Sequence, residues 1–147
     1  MDDFQTPKWC CDLMVSMLPS GVRKVLEPTP GEGNLVKALS GYNVTAPTNI
    51  WDVTGEFDAV VMNPPFSPMV VGYKILDKAM GMADVVIALM PWLVLINSQK
   101  RTKAIMDFGL KSITHLPRST FKGARVQCCI LSLYKDFSGP SIFTCKQ

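Results

Sequence analysis

The run from Phe57 to Met62 is apolar except for Asp58 and ends abruptly on Asn63-Pro64-Pro65-Phe66. Two successive prolines donate no backbone hydrogen bond and lock φ, so a central strand cannot continue through them. The chain must leave its sheet there. A continuous apolar run also differs from the alternating pattern of a sheet with one wet face; it reads as a strand covered on both sides. One feature thus points to a layered fold and places a stiff polar loop at a strand end.

The rest of the chain agrees. Short apolar runs alternate with amphipathic stretches, as in an α/β domain. Helices are predicted over Pro7 to Leu18, Glu32 to Leu39, Val70 to Met82 and Lys100 to Phe108. Strands are predicted over Val22 to Leu26, Tyr42 to Ala46, Phe57 to Met62 and Asp84 to Leu89. Two final strands, Ser112 to Leu116 and Val126 to Tyr134, lie close enough to pair antiparallel. The expected architecture is a mostly parallel sheet with helices on both faces and an antiparallel C-terminal strand. With 147 residues, 48% of them hydrophobic and 18% charged, residues 1–147 are expected to form one packed domain. No repeat, low-complexity run or long linker interrupts them.

A net charge of +3 is compatible with a polyanionic partner and does not demonstrate one. The N-terminus lacks the basic-then-apolar layout of a signal peptide. The most apolar stretch, Val85 to Ile96, is too short for a membrane span and contains Pro91. These features predict a soluble, cytoplasmic protein with no membrane partner. Five cysteines, arranged as Cys10-Cys11, Cys128-Cys129 and Cys145, include no C-x-x-C pair. Reduced structural thiols are expected, and no metal site.

Two motifs carry chemistry. The first, Val25-Leu26-Glu27-Pro28-Thr29-Pro30-Gly31-Glu32-Gly33-Asn34, joins a strand to a helix. Glycines at such a junction let backbone approach a ligand closely, and the N–H groups that open a helix suit an anion. An acid at the strand end, Glu27, suits an ammonium. Together they fit an amino acid moiety such as the methionine part of S-adenosylmethionine. A simple tight turn explains a lone Gly-x-Gly equally well. The absence of a third glycine and of a Lys-Ser/Thr pair disfavours NAD and ATP.

The second motif is Asn63-Pro64-Pro65-Phe66. The N6 lone pair of adenine is delocalised into the ring and nucleophilically poor. Two acceptors holding both amino hydrogens would localise it. The Asn63 side-chain oxygen and the Pro64 carbonyl can supply them, the prolines keep them preorganised, and Phe66 offers a face on which an extruded base could stack.

With both motifs in this order, the chain resembles the catalytic domain of N6-adenine DNA methyltransferases of the class I, Rossmann-like, S-adenosylmethionine-dependent superfamily, in the gamma-type motif order. The resemblance implies that Phe4-Gln5-Thr6-Pro7 closes over the methionine end of the cofactor and that Glu27, Pro28, Gly31, Gly33 and Asn34 form its loop. It implies that Asp52, with Val53, receives the cofactor's adenine amino group, and that Asn63, Pro64, Pro65 and Phe66 are catalytic. It also sets the loop containing Arg118, Phe121, Lys122 and Arg125 beside the substrate entrance, with DNA as the partner. Two departures stand out. Where the family places an acid for the ribose, this chain has Ala46-Pro47-Thr48-Asn49, and the short distance to Asn63 implies a trimmed second strand–helix unit. No separate target-recognition domain follows, so sequence specificity would fall to loops, a homodimer or a specificity subunit.

Other readings stay open: RNA adenine or a protein glutamine as acceptor, or a non-catalytic subunit that keeps the fold and binds a partner. Trp51 fits either the cofactor adenine or the core. Trp92 and His115 read as structural, and Lys100, Arg101 and Lys103 fit phosphate contacts or a solvated helix face equally well.

Overall fold

In the computed structural model, residues 5–123 and 126–146 are described. The order is α1 (Lys8–Ser16), β1 (Lys24–Leu26), α2 (Asn34–Ala38), β2 (Asn43–Thr45), β3 (Phe57–Met62), α3 (Met69–Met80), β4 (Ala83–Pro91), α4 (Gln99–Phe108), β5 (Leu110–His115), β6 (Cys128–Tyr134) and β7 (Ile142–Cys145). Three short 3-10 turns, at Ile50–Asp52, Trp92–Leu95 and Arg118–Thr120, lie in the connections. The strands form one sheet in the order β2-β1-β3-β4-β6-β5-β7. Strands β2, β1, β3 and β4 run parallel, β6 is antiparallel to both β4 and β5, and β7 is parallel to β5.

The period of two along each strand divides the core. On one face Val60, Met62, Val86, Ala88, Met90, Leu131 and Leu133 pack with Ile75 and Leu76 of α3 and Ile105 of α4. On the other, Ala59, Val61, Val85, Ile87, Leu89 and Ile130 meet Cys10, Cys11 and Met14 of α1 and Leu35 of α2. Alternate residues of one strand therefore serve two separate apolar layers, which is why β3 and β4 read as unbroken apolar runs. The predicted α/β architecture is present.

The differences are informative. The expected trimming after β2 takes the form of a single 3-10 turn in place of a helix, and it leaves β2 at the sheet edge. The two strands expected to be final pair antiparallel but are followed by β7, which extends the sheet beyond β5. All four residues of β7 are exposed, so no buried pattern marks it. It is held by backbone pairing, a Thr114–Thr144 hydroxyl contact of 3.2 Å and the Ser141 hydroxyl donating to the Leu110 carbonyl at 2.6 Å. Cys10, Cys11, Cys128 and Cys129 are buried thiols without disulfides; burial pushes Cys10, Cys128 and Cys129 up to about 12 and Cys11 to about 11. They stay protonated and unreactive at neutral pH. Among the described residues, no helix is long and apolar enough to cross a membrane and no residue group could hold a metal ion.

Candidate active site

The chain passes from β1 outward to the edge strand β2, then crosses back to β3 on the other side of β1. In a parallel sheet this reversal opens a crevice beyond the carboxyl ends of the strands, where ligands bind. The two sequence motifs flank it. Glu27 follows β1 directly, and Asn63 follows β3. A cleft of about 1120 Å³ lies between the loops, lined by Pro28 to Gly31, by residues 47–51, by Asn63 to Ser67 and by Phe121. Single-ligand sites are usually about 300–1,000 Å³, so this cleft stands at the upper end of that range. A small polar annex beside it is bordered by Gln5, Thr6, Glu27, Asn34 and Asn63.

Glu27 is 2% exposed, and burial pushes its carboxyl up to about 7 against the pull of the Thr29 N–H, which donates to Oε1 at 2.8 Å. Among the described residues no cation lies within ion-pair reach of it. A buried carboxyl held in the neutral range suits a cationic ligand, because an incoming ammonium would recover the lost solvation. The following turn carries Gly31 at φ 54° and Gly33 at φ 90°, left-handed positions that favour glycine. Helix α2, expected to supply an anion site, is only Asn34–Ala38, so any donors to an anion would come mainly from the loop.

The catalytic candidate is tied to the cofactor candidate by two hydrogen bonds, and a third holds the cofactor side together. Asn63 Nδ2 donates to Thr6 Oγ1 at 2.7 Å, Asn34 Nδ2 donates to the Thr6 carbonyl at 3.0 Å, and Thr29 Oγ1 donates to the Asn63 carbonyl at 3.3 Å. Pro64 is buried, Pro65 exposed, and Phe66 half-buried against the α1–α2 side of the core. Helix α3 is packed hard on this loop. A Cβ on Gly72 would lie 2.8 Å from the Pro65 carbonyl oxygen and 3.6 Å from Pro64 Cγ, so only glycine fits without displacement.

The opposite wall is looser. Asn49 caps the 3-10 turn, its Oδ1 accepting the Trp51 N–H at 3.0 Å. Thr48, Asn49, Ile50 and Trp51 line the cleft; Asp52 and Val53 do not, and Asp52 is exposed. Trp51 is 48% exposed, with the Lys78 ammonium 5.8 Å from its ring centroid. Of the loop after β5, Phe121 lines the cleft and is buried, whereas Arg118 and Lys122 are exposed and outside the lining. With the Gln127 amide turned to satisfy both groups, Arg118 Nη2 donates to it at 2.7 Å. Phe4 and Arg125 lie outside the described residues.

The structural reading of the other candidates agrees with their contacts. The Trp92 indole donates to His115 Nδ1 at 2.8 Å, and Phe143 of β7 meets Trp92 edge-on at 5.5 Å. Arg101 stacks 3.7 Å over the Tyr73 ring and donates to Asn97, while Lys103 pairs with Asp107 on the surface. Sequence reasoning missed Thr29, the second contact of Thr6 and Gly72. A glycine inside an amphipathic helix that follows a proline loop was the one available signal.

No protein-family model matches the chain, and no curated protein matches it. Solved structures do. A Listeria monocytogenes protein described as a class I S-adenosylmethionine-dependent methyltransferase superposes with TM-score 0.75 at 15% identity, over 96% of this chain and 65% of its own. The type I restriction-modification methyltransferase subunit of Streptococcus thermophilus gives TM-score 0.74 at 15% identity, over 97% and 47%. A Vibrio vulnificus protein described as the modification subunit of a type I restriction enzyme gives 0.75 at 16%, also over 97% and 47%. The chain thus spans less than two thirds of these neighbours. Its fold is the Rossmann-like fold of class I S-adenosylmethionine-dependent methyltransferases.

Proposed function

We propose that this chain binds S-adenosylmethionine in the cleft and transfers its methyl group to the N6 amino group of adenine in DNA. The observation that carries the reading is the placement of Asn63 and Pro64 at the carboxyl end of β3, opening on a cleft whose other strand end holds the buried Glu27. Glu27 would face the ammonium of the methionine moiety, with Gln5, Thr6, Gly31, Gly33 and Asn34 around it. Thr48, Asn49 and Trp51 would border the nucleoside end, with neutral groups in place of a ribose-binding acid. When bound, the cofactor supplies an electrophilic methyl on a sulfonium.

The chain's own part is orientation. Asn63 Oδ1 and the Pro64 carbonyl would accept the two amino hydrogens of adenine and concentrate its lone pair toward the methyl. Pro64 and Pro65 keep that geometry stiff before the base arrives, and Phe66 would stack an extruded base. Transfer would form the nitrogen–carbon bond as the carbon–sulfur bond of a bound cofactor broke, with that electron pair returning to sulfur. The amino proton then leaves to water. The similarity to type I modification subunits supports DNA as the polymer, with a second copy or a specificity subunit as partner.

Transfer of labelled methyl from S-adenosylmethionine to unmethylated DNA, with RNA and protein in parallel, tests this. N6-methyladenine in digested DNA is expected. Label appearing in RNA or on glutamine instead would move the substrate, and binding of cofactor to no measurable extent would overturn the enzyme reading.

A further inference from the structure

The connection between the antiparallel strands β5 and β6 reaches the mouth of the cleft. Beyond the His115–Cys129 pair, the Leu116 N–H still donates to the Cys128 carbonyl at 3.2 Å, and the Trp92 N–H donates to the Gln127 carbonyl at 3.0 Å. On the facing side, the Thr120 N–H and hydroxyl both donate to the Pro117 carbonyl, at 3.0 and 2.7 Å, and close the 3-10 turn. Phe121, Val126 and Cys128 of this connection line the cleft. Gln127, half-buried, thus stands on fixed backbone between two lining residues.

Its side chain holds Arg118, which is exposed. The Gln127 amide oxygen accepts from Arg118 Nε at 3.1 Å and from Nη2 at 2.7 Å. A guanidinium only donates, so one orientation of the amide satisfies the pair. The contact uses one edge of the guanidinium and leaves Nη1–H beside the second Nη2–H on the outer edge. That fork matches two oxygens of a phosphate. The holder is also neutral. An acid in its place would cancel the charge, whereas an amide sets the fork and leaves the positive charge uncompensated. Among the described residues the ion pairs are Lys8–Asp12 and Lys103–Asp107, and neither involves Arg118. A base that enters the cleft stays joined to its strand by phosphates, which must remain outside, at the mouth.

We propose that Arg118 grips a backbone phosphate of the DNA strand that carries the target adenine, and that Gln127 is the positioning residue that sets its guanidinium for that contact. The inference rests on the reading of the cleft as a site for adenine in DNA, and it brings in Gln127 from outside both sequence motifs.

The test follows binding of a fluorescein-labelled, unmethylated double-stranded oligonucleotide by anisotropy across a series of salt concentrations. The full chain is compared with Arg118→Gln, Arg118→Lys, Gln127→Leu, Gln127→Glu and the Arg118→Gln/Gln127→Leu pair, with urea midpoints as the control for folding. Arg118→Gln should weaken binding about tenfold, as loss of a charged hydrogen bond does. It should also lower the slope of log affinity against log salt by about one. Gln127→Leu and Arg118→Lys keep the charge and lose the set fork, so a loss of about threefold is expected at an unchanged slope. Gln127→Glu keeps the acceptor but cancels the charge, and should reproduce Arg118→Gln. In the Arg118→Gln background, Gln127→Leu should add nothing. Wild-type affinity and slope in Arg118→Gln, or no binding of double-stranded DNA by the wild type, would overturn the proposal. Tighter Arg118-dependent binding of an RNA of the same sequence would overturn it too, and unaltered binding by Gln127→Leu would remove the role of Gln127. Methyl transfer is read separately: a wild type that binds DNA through Arg118 but transfers no methyl group to it would refute the proposed function and leave the phosphate contact standing.

Discussion

The two walls of the cleft are built on opposite principles. The wall after β3 is fixed from every side: Pro64 is buried, Asn63 is tied to Thr6 and Thr29, and Gly72 of α3 touches the Pro65 carbonyl so closely that no side chain fits. The wall after β2 hangs on an edge strand of three residues and one 3-10 turn, with Trp51 half exposed and Asp52 in solvent. Orientation of a reacting atom tolerates little error, since a misplacement of about 1 Å can cost about a hundredfold in rate. Contact with the flat face of a nucleoside tolerates more. The rigid wall is therefore the one suited to chemistry and the loose wall the one suited to affinity.

That contrast can be broken experimentally. The largest effect is expected from Asn63→Ala, which should reduce methyl transfer by about a hundred- to a thousandfold, as loss of a preorganised polar contact does, while calorimetric cofactor affinity stays near wild type. Retained turnover would show that the stiff wall does not do the chemistry.

Glu27 comes next, between the walls. Its folded-state carboxyl titrates near 7 against an ordinary 4.5, so the folded protein holds that proton more tightly than the unfolded chain. Stability without ligand should be full at low pH, fall by about 3 kcal/mol as pH rises from about 4.5 to 7, and level off above. Glu27→Gln should remove that slope from a urea-denaturation series. Binding of an ammonium requires the ionised acid, so cofactor affinity should rise about tenfold per pH unit up to about 7 and then flatten. A pH-independent affinity would remove Glu27 from the site.

A smaller effect is expected at Gly72. Gly72→Ala places a methyl group against the Pro65 carbonyl and should destabilise the protein by about 1–3 kcal/mol, the usual range for overpacking, with a loss of kcat at unchanged cofactor affinity. A variant that melts early but turns over normally would make Gly72 a packing residue only. The smallest effect is predicted on the loose wall. Trp51→Ala should cost about 1 kcal/mol of cofactor affinity, of the order of one exposed aromatic contact, and leave kcat intact. A kcat defect there would erase the distinction between the walls.

Much of this is legible in the amino-acid sequence. The unbroken apolar runs of β3 and β4 announced strands covered on both faces, and both do face two apolar layers. The proline pair marked the end of β3 at Met62 because a ladder cannot pass through it. The glycine turn after β1 was visible because positive φ selects glycine. The sequence neighbourhood sets Asp52 beside the nucleoside; in the fold the 3-10 turn carries Trp51 into the cleft wall and leaves Asp52 exposed next to it. Residues one position apart in such a turn point in different directions, and no local pattern says which faces inward.

Except for β7, the sequence by itself determined the kinds of element, their limits to within a few residues and the stiffness of the two loops, because periodicity, proline and glycine act through local sterics. Only the tertiary structure decided that β6 inserts between β4 and β5, that β7 closes the far edge, and that Thr6 meets Asn63 across 57 positions. Those are choices of partner between distant segments. Each segment's own pattern is satisfied by several partners, and only simultaneous packing of both layers selects one.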